Sequence, residues 1–263
     1  MGRSLQTVYF AKTRCTNERL EERETMTWIR TIPTAEADEK LRKAIEGEQS
    51  FYPKEYGVPV HPDDSGGASI VGSHTLIPEA LYQLRYDPPG APKLAERVAK
   101  LTGAAHDPHR GLDHGAWVPA MLAWPAADIP IFQLSIQPQE SPAHHLALGR
   151  KLAALREEGV LVMGSGSATH NLRALVRGGQ PAEPEPWAQA FDDWLAEAVA
   201  KGDEEALADY RGRAPYAREA HPTDEHFLPL HVAYGAAGEG ARGKPLHRSF
   251  TLGNLSMASY AFD

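Results

Sequence analysis

Residues 160–163, Val-Leu-Val-Met, form a short apolar run that gives way at once to small, loop-forming residues, Gly164-Ser165-Gly166-Ser167. Four apolar residues are too few for a helix of ordinary length. The pattern therefore reads as a buried strand running out into a tight loop. His170 lies just past the glycines. In open α/β sheets, ligands bind outside the carboxyl ends of strands, and this histidine sits at such an end. Imidazole there can bind a metal or move a proton near neutral pH. A hydrogen-bonded loop histidine is the other reading of the same residue.

The flanking sequence alternates helix and strand signals. Leu94, Val98 and Leu101 share one helical face over 92–101, and Pro92 suits a first turn. Residues 129–136 read as a strand, with Pro130 near its start where no ladder donor is needed. Residues 142–158 read as a helix with Leu148, Leu152 and Leu155 on its buried side. A Pro/Glu-rich loop at 181–186 precedes an amphipathic helix carrying Trp187, Phe191 and Leu195. A short helix at 204–210, another at 227–234 and a final strand over 250–260 complete the chain. This alternation predicts an α/β fold, a layered αβα sandwich around a mixed sheet.

The N-terminal third has a different texture. Residues 1–25 read as a polar tail, because 14–24 is almost wholly polar. Residues 26–80 form an atypical, mostly helical segment ahead of the α/β domain at 81–263. Thr34 is a plausible N-cap there, and Leu41, Ala44 and Ile45 recur at helical spacing.

Composition narrows the function. The net charge of −8 disfavours a general nucleic-acid binder, which needs a basic footprint. No apolar run approaches the roughly 20 residues that span a bilayer, and no secretory signal is visible, so the cytoplasm is the default location. A single cysteine, Cys15, excludes an intrachain disulfide and any CxxC redox or zinc motif. Twelve histidines turn attention to imidazole chemistry instead.

The loop Gly164-Ser165-Gly166-Ser167-Ala168-Thr169-His170-Asn171-Leu172 resembles the metal-ligand loop of the class III extradiol ring-cleavage dioxygenases, in the branch called DOPA 4,5-dioxygenase-like. The likeness continues in the same order elsewhere. It runs through Tyr86-Asp87-Pro88-Pro89-Gly90-Ala91-Pro92, Leu112-Asp113-His114-Gly115-Ala116-Trp117 and Ile129-Pro130-Ile131-Phe132-Gln133-Leu134-Ser135. It ends with Glu225-His226-Phe227-Leu228-Pro229-Leu230 and Leu252-Gly253-Asn254-Leu255-Ser256-Met257. Together these motifs span about 78–262. Residues 26–81 instead resemble the start of the carboxymuconolactone decarboxylase and AhpD-like family, through Met26-Thr27-Trp28-Ile29-Arg30-Thr31 and Ser73-His74-Thr75-Leu76-Ile77-Pro78. That family's CxxC has no counterpart here, so no peroxidase activity is carried over.

The first resemblance implies a non-haem, metal-dependent enzyme that opens a catecholic aromatic, DOPA-like in type, with O2. Fe(II) is the expected metal and Zn(II) the alternative. His170 and His226 match metal-site histidines, and His114 matches a histidine that handles protons at the substrate. An oligomer is compatible with this reading. Two further ligand histidines of the family, in Gly-His-Gly-Ser-Pro-like and Ser-Ala-His-Trp-like turns, have no match between Met1 and Pro78. His61, beside Asp63 and Asp64, and His74 are the histidines there that could substitute. The family's first strands look absent too. The competing reading is therefore a mosaic descendant with an incomplete metal site, acting, if at all, as a binding module.

Overall fold

The computed structural model describes residues 7–12, 86–107, 111–175 and 183–263. The chain order is β1 (Thr7–Lys12), α1 (Pro92–Thr102), α2 (His114–Ala123), β2 (Ile131–Ser135), α3 (Pro142–Arg150) and β3 (Val160–Ser165). Then follow α4 (Pro186–Lys201), α5 (Glu204–Ala208), α6 (Tyr210–Arg213), α7 (Ala217–Ala220) and α8 (Leu228–Ala236). The chain closes with β4 (Gly243–His247), β5 (Phe250–Thr251), β6 (Leu255–Ser256) and β7 (Ser259–Phe262). The fold is α/β.

The main sheet has the order β2-β1-β3, with β1 antiparallel to both neighbours. Phe10 pairs with Phe132 on one side and Val162 on the other. Parallel pairing, expected of a mixed sheet, is limited among the described residues to one isolated bridge, Gly90 to Ile131. The alternation of side chains along β3 decides what covers each face. Val160 and Val162 pack with Leu228, Val232 and Ala236 of α8. Leu161 and Met163 pack with Ala116 and Ala120 of α2. Strand β2 obeys the same rule: Phe132 and Leu134 join the α8 side, and Ile131 joins the α2 side. A third cluster, centred on Phe191, Leu195, Leu207, Tyr210 and Phe227, fills the space under α4 to α7.

The central position of β1 departs from the polar-tail expectation at residues 7–12, the part of 1–25 that is described. Thr-Val-Tyr-Phe is good strand material, and it fills the gap between β2 and β3. The charged run that follows outweighed it in the sequence. The predicted helix at 142–158 also breaks, into α3 and a 3₁₀ segment at Ala153–Glu158. Three residues per turn stack positions i and i+3, and Leu152 and Leu155 are both fully buried. The strand expected at 250–260 is interrupted by left-handed residues, Leu252 at φ 51° and Gly253 at φ 82°. They turn β5 back onto β6, which leaves β7 to pair with β4. The helical segment expected at 26–80, with His61 and His74, lies outside the described residues.

Helices α3 and α8 cross at two glycines. A Cβ on Gly149 would run into the Val232 carbonyl, and one on Gly235 into the Leu146 carbonyl. These obstacles are backbone and cannot swing away. Gly235→Ala is expected to cost about 1–3 kcal/mol, the ordinary range for overpacking, measurable as a lower urea midpoint.

Buried histidines link this core to pH. His231, on α8, is fully buried, with Nε2 3.0 Å from the Leu207 carbonyl and Nδ1 3.2 Å from that of Phe227. A neutral ring has one N–H, and the nearer carbonyl, of Leu207, takes it. Both carbonyls favour the charged ring, but burial outweighs them and lowers its pKa from 6.5 to about 4. The unfolded chain then binds a proton that the folded chain refuses. Stability is complete above the unfolded value and declines as pH falls toward 4. Urea titrations between neutral and acid pH should show this decline. It should be shallower in His231→Gln, which keeps a donor for Leu207 and cannot titrate.

Candidate active site

The loop after β3 is held against the segment leading into α8. Gly164 and Gly166 make this possible. A Cβ on Gly164 would collide with the Pro229 carbonyl, and one on Gly166 with the His226 carbonyl. With side chains absent, the backbones join. Ser167 N donates to the His226 carbonyl at 2.8 Å, and His170 N donates to the Ala220 carbonyl at 2.8 Å. The Asn171 side-chain amide adds a bond to the Glu219 carbonyl at 2.8 Å.

The outer side of the loop is anchored as firmly. Thr169 is fully buried; its hydroxyl donates to the Asn254 carbonyl at 2.6 Å and accepts from Ser256 N at 2.6 Å. Ser256 in turn donates to Asp192 at 2.6 Å, and Arg248 reaches the same carboxylate at 2.6 Å and 2.9 Å. On the opposing segment, Arg211 pairs with Asp224 and donates to the His221 carbonyl at 2.5 Å. The Tyr210 hydroxyl donates to Asp224 at 2.7 Å.

These ties bring His170 and His226 together. Their rings stack with centroids 3.4 Å apart and planes 11° from parallel. Both side chains are half-buried. Imidazole lone pairs lie in the ring plane. Two nearly parallel planes at this separation cannot both contain one ion at a ligand distance of about 2.0–2.2 Å. As arranged, the pair does not fit joint ligation of a single metal. Among the described residues, no group of three or more His, Cys, Asp or Glu is placed to hold a metal.

Glu225, which the sequence reading left without a role, lies beside the pair. Its Oε1 is 3.4 Å from His226 Nδ1, an ion-pair distance without a formed hydrogen bond. Burial, the largest single influence, raises the Glu225 pKa. The neighbouring His226, the residue's own backbone N–H and Thr223 together overcome it and hold the carboxyl at about 2. The group stays anionic next to an imidazole.

His114 is the first residue of α2, directly after the N-cap Asp113, whose carboxylate accepts from Ala116 N at 3.1 Å. Gln133 of β2 fixes this end of the helix by accepting from Asp113 N at 2.8 Å. His114 therefore sits on the helix that covers the Leu161 and Met163 face of β3, a different element from the stacked pair.

Of the remaining histidines, His145 is a packing residue. Its Nδ1–H donates to the Ser141 carbonyl at 2.9 Å, and its Nε2 accepts from Gln137 N at 3.1 Å. His106 is exposed. His221 is fully buried between the two halves of the site. Burial lowers its pKa to about 3. Periodicity carries no signal for it. Its position, five residues before His226, was the one cue.

Sequence comparison gives the family of the chain. The family described as the catalytic LigB subunit of aromatic ring-opening dioxygenase matches residues 64–263. The chain belongs to this family. A 4,5-DOPA dioxygenase extradiol from Beta vulgaris is 47% identical over 194 residues, 71% of this chain and 71% of that one. Its namesake in Escherichia coli (strain K12) is 37% identical over 191 residues, 70% of this chain and 69% of that one. The crystal structure of uncharacterized protein JW3007 from Escherichia coli K12 superimposes with a TM-score of 0.60 at 33% identity, covering 68% of this chain and 76% of that one. The chain is thus an extradiol ring-cleavage dioxygenase by family, with all three sequence-predicted histidines inside the matched region. No helix among the described residues is long and apolar enough to cross a membrane.

Gly166→Ala tests the close approach. A methyl group there must push the loop off the His226 carbonyl and break the Ser167 bond. Ring-cleavage kcat/KM should fall at least about tenfold, with a stability loss of about 1–3 kcal/mol. Steady-state assays and urea denaturation on the same preparation measure both.

Proposed function

We propose that this chain opens a catecholic aromatic of DOPA type, with dioxygen as co-substrate, at the His170–His226 pair. The stack, tied by backbone bonds to the end of a buried strand, is the observation that carries this reading. Fe(II) is the expected metal and Zn(II) the alternative. A ligating histidine ordinarily turns its other ring N–H toward a carboxylate. Glu225 beside Nδ1 supports His226 as the metal-side residue. When bound, the metal would bring catechol and dioxygen together.

The parallel planes leave His170 with its ring nitrogens directed elsewhere. Its role in this reading is to accept a proton from a catechol hydroxyl and return one as the ring opens, work suited to imidazole near neutrality. This departs from the ligand role the sequence suggested. His114, at the start of α2, is retained as the second proton-handling group at the substrate. The metal's remaining ligands would come from outside the stacked pair, and His61 and His74 are candidates.

Two observations favour a second reading, in which the scaffold survives without a working centre. The stacked rings do not converge, and the two N-terminal ligand turns of the family have no match before Pro78. Oxygen uptake and the absorbance of the ring-opened product, followed with DOPA and simple catechols under saturating Fe(II), decide between the two. The enzyme reading expects turnover that falls about 100-fold or more in each of His170→Ala, His226→Ala and His114→Ala. Silence of the metal-loaded wild type with every catechol would establish the second reading.

A further inference from the structure

The His221 side chain touches both halves of the site without belonging to the stacked pair. Its Nε2–H donates to the Ala168 carbonyl at 2.8 Å, two residues before His170. Its ring lies on that of Phe227, the residue after His226, with centroids 4.6 Å apart and an angle of 25°. Phe191 and Tyr210 close the box edge-on, at 5.3 Å and 6.1 Å. The backbone carbonyl just before it, Ala220 O, receives His170 N. The His221 carbonyl itself is held by Arg211.

Folding alone would not choose histidine here. The pocket is aromatic and dry, and Nδ1 is buried with no hydrogen-bond partner. Phenylalanine would fill the same space without leaving a lone pair unpaired, which costs about 1–3 kcal/mol. What phenylalanine cannot supply is the N–H for Ala168. Without that donor the carbonyl is itself orphaned, and the peptide must turn to find another. Thr169 and His170 follow in the chain, so this rotation is delivered to the His170 ring.

We propose that His221 is a positioning residue whose single N–H, given to the Ala168 carbonyl, sets the His170 ring against His226. This rests on the proposed role of that pair in ring cleavage. The bond and the ring contact act at opposite ends. The first fixes the loop after β3, and the second fixes the segment entering α8. One rigid imidazole sets the spacing between them.

Two variants of the full-length chain separate the bond from the packing. His221→Phe keeps the ring on Phe227 and loses the donor. His221→Gln loses the ring and keeps an amide N–H near the old Nε2. Histidine-labelled protein reports the geometry directly, because stacked rings shift each other's carbon-bound protons upfield in the NMR spectrum. His170→Ala and His226→Ala assign those signals. In His221→Phe the upfield shifts should be lost and kcat should fall at least about tenfold, with KM changed by less than about twofold, the scale of a second-layer substitution. His221→Gln should keep the shifts and recover kcat to within about threefold of wild type. Retained shifts in His221→Phe, or their loss in both variants, would overturn the proposal. If His221→Phe fails to fold, the Gln variant alone decides, since loss of its shifts is fatal. A wild type inactive on every catechol sinks the functional reading, while the NMR arm still judges the geometry.

Discussion

Everything at the site depends on backbone meeting backbone where the end of β3 and its loop face the start of α8 and the segment before it. At Gly164 and Gly166 the facing groups are the carbonyls of Pro229 and His226, closer than any side chain would permit. That contact lets Ser167 N reach the His226 carbonyl and His170 N reach Ala220. Two imidazoles 56 positions apart in the sequence therefore stack at 3.4 Å. The glycines matter for the space they leave. Neither has a positive φ.

A contact of this kind needs stiff surroundings, because a carbonyl pressed against a neighbouring chain relaxes if anything behind it gives. The stiffness comes from buried polar groups. Asp192 is almost fully buried and shared by Arg248 and Ser256. Burying a carboxylate is expensive unless it is paired and its lone pairs are filled, and here the partners also fix the β5–β6 turn against α4. That turn holds Thr169 through Asn254 and Ser256. On the other side Arg211 binds Asp224 and the Ala217 and His221 carbonyls. The cost of these buried groups brings a fixed loop geometry, which functional sites require of the layer behind them.

The elements that could be read from the sequence were those with strong periodicity. The run at 160–163, the Leu148-Leu152-Leu155 spacing and the Trp187-Phe191-Leu195 stripe each mark a face that must be covered. Apolar spacing says which side is buried but not how tightly the chain winds. Leu152 and Leu155 gave no hint of the 3₁₀ segment. Strand β1 was hidden for a different reason: six residues of strand-forming sequence beside a long charged stretch lose to the average composition of their neighbours. The histidines of the site were visible as motif members, and the structure does bring His170 and His226 into contact. Their relative ring orientation was not visible, because it depends on carbonyls and on neighbours such as His221 and Glu225 that no local pattern marks.

The arrangement also says where the site can still move. The backbone of His170 is held by its own N–H and by the buried Thr169 before it. That of His226 is held through its carbonyl and by the wall of glycines facing it. Change at the pair then comes through side-chain torsion, which moves between staggered wells rather than continuously. A stacked pair on fixed backbones therefore has few alternatives: one ring leaves the stack by a whole rotamer step, or neither does. Convergence of the two on one ion would require such a step. Groups that bias the rotamers thus have more influence on the chemistry than their distance from it suggests. His221, acting on the Ala168–Thr169 peptide, and Glu225, beside the His226 ring, are placed to do so.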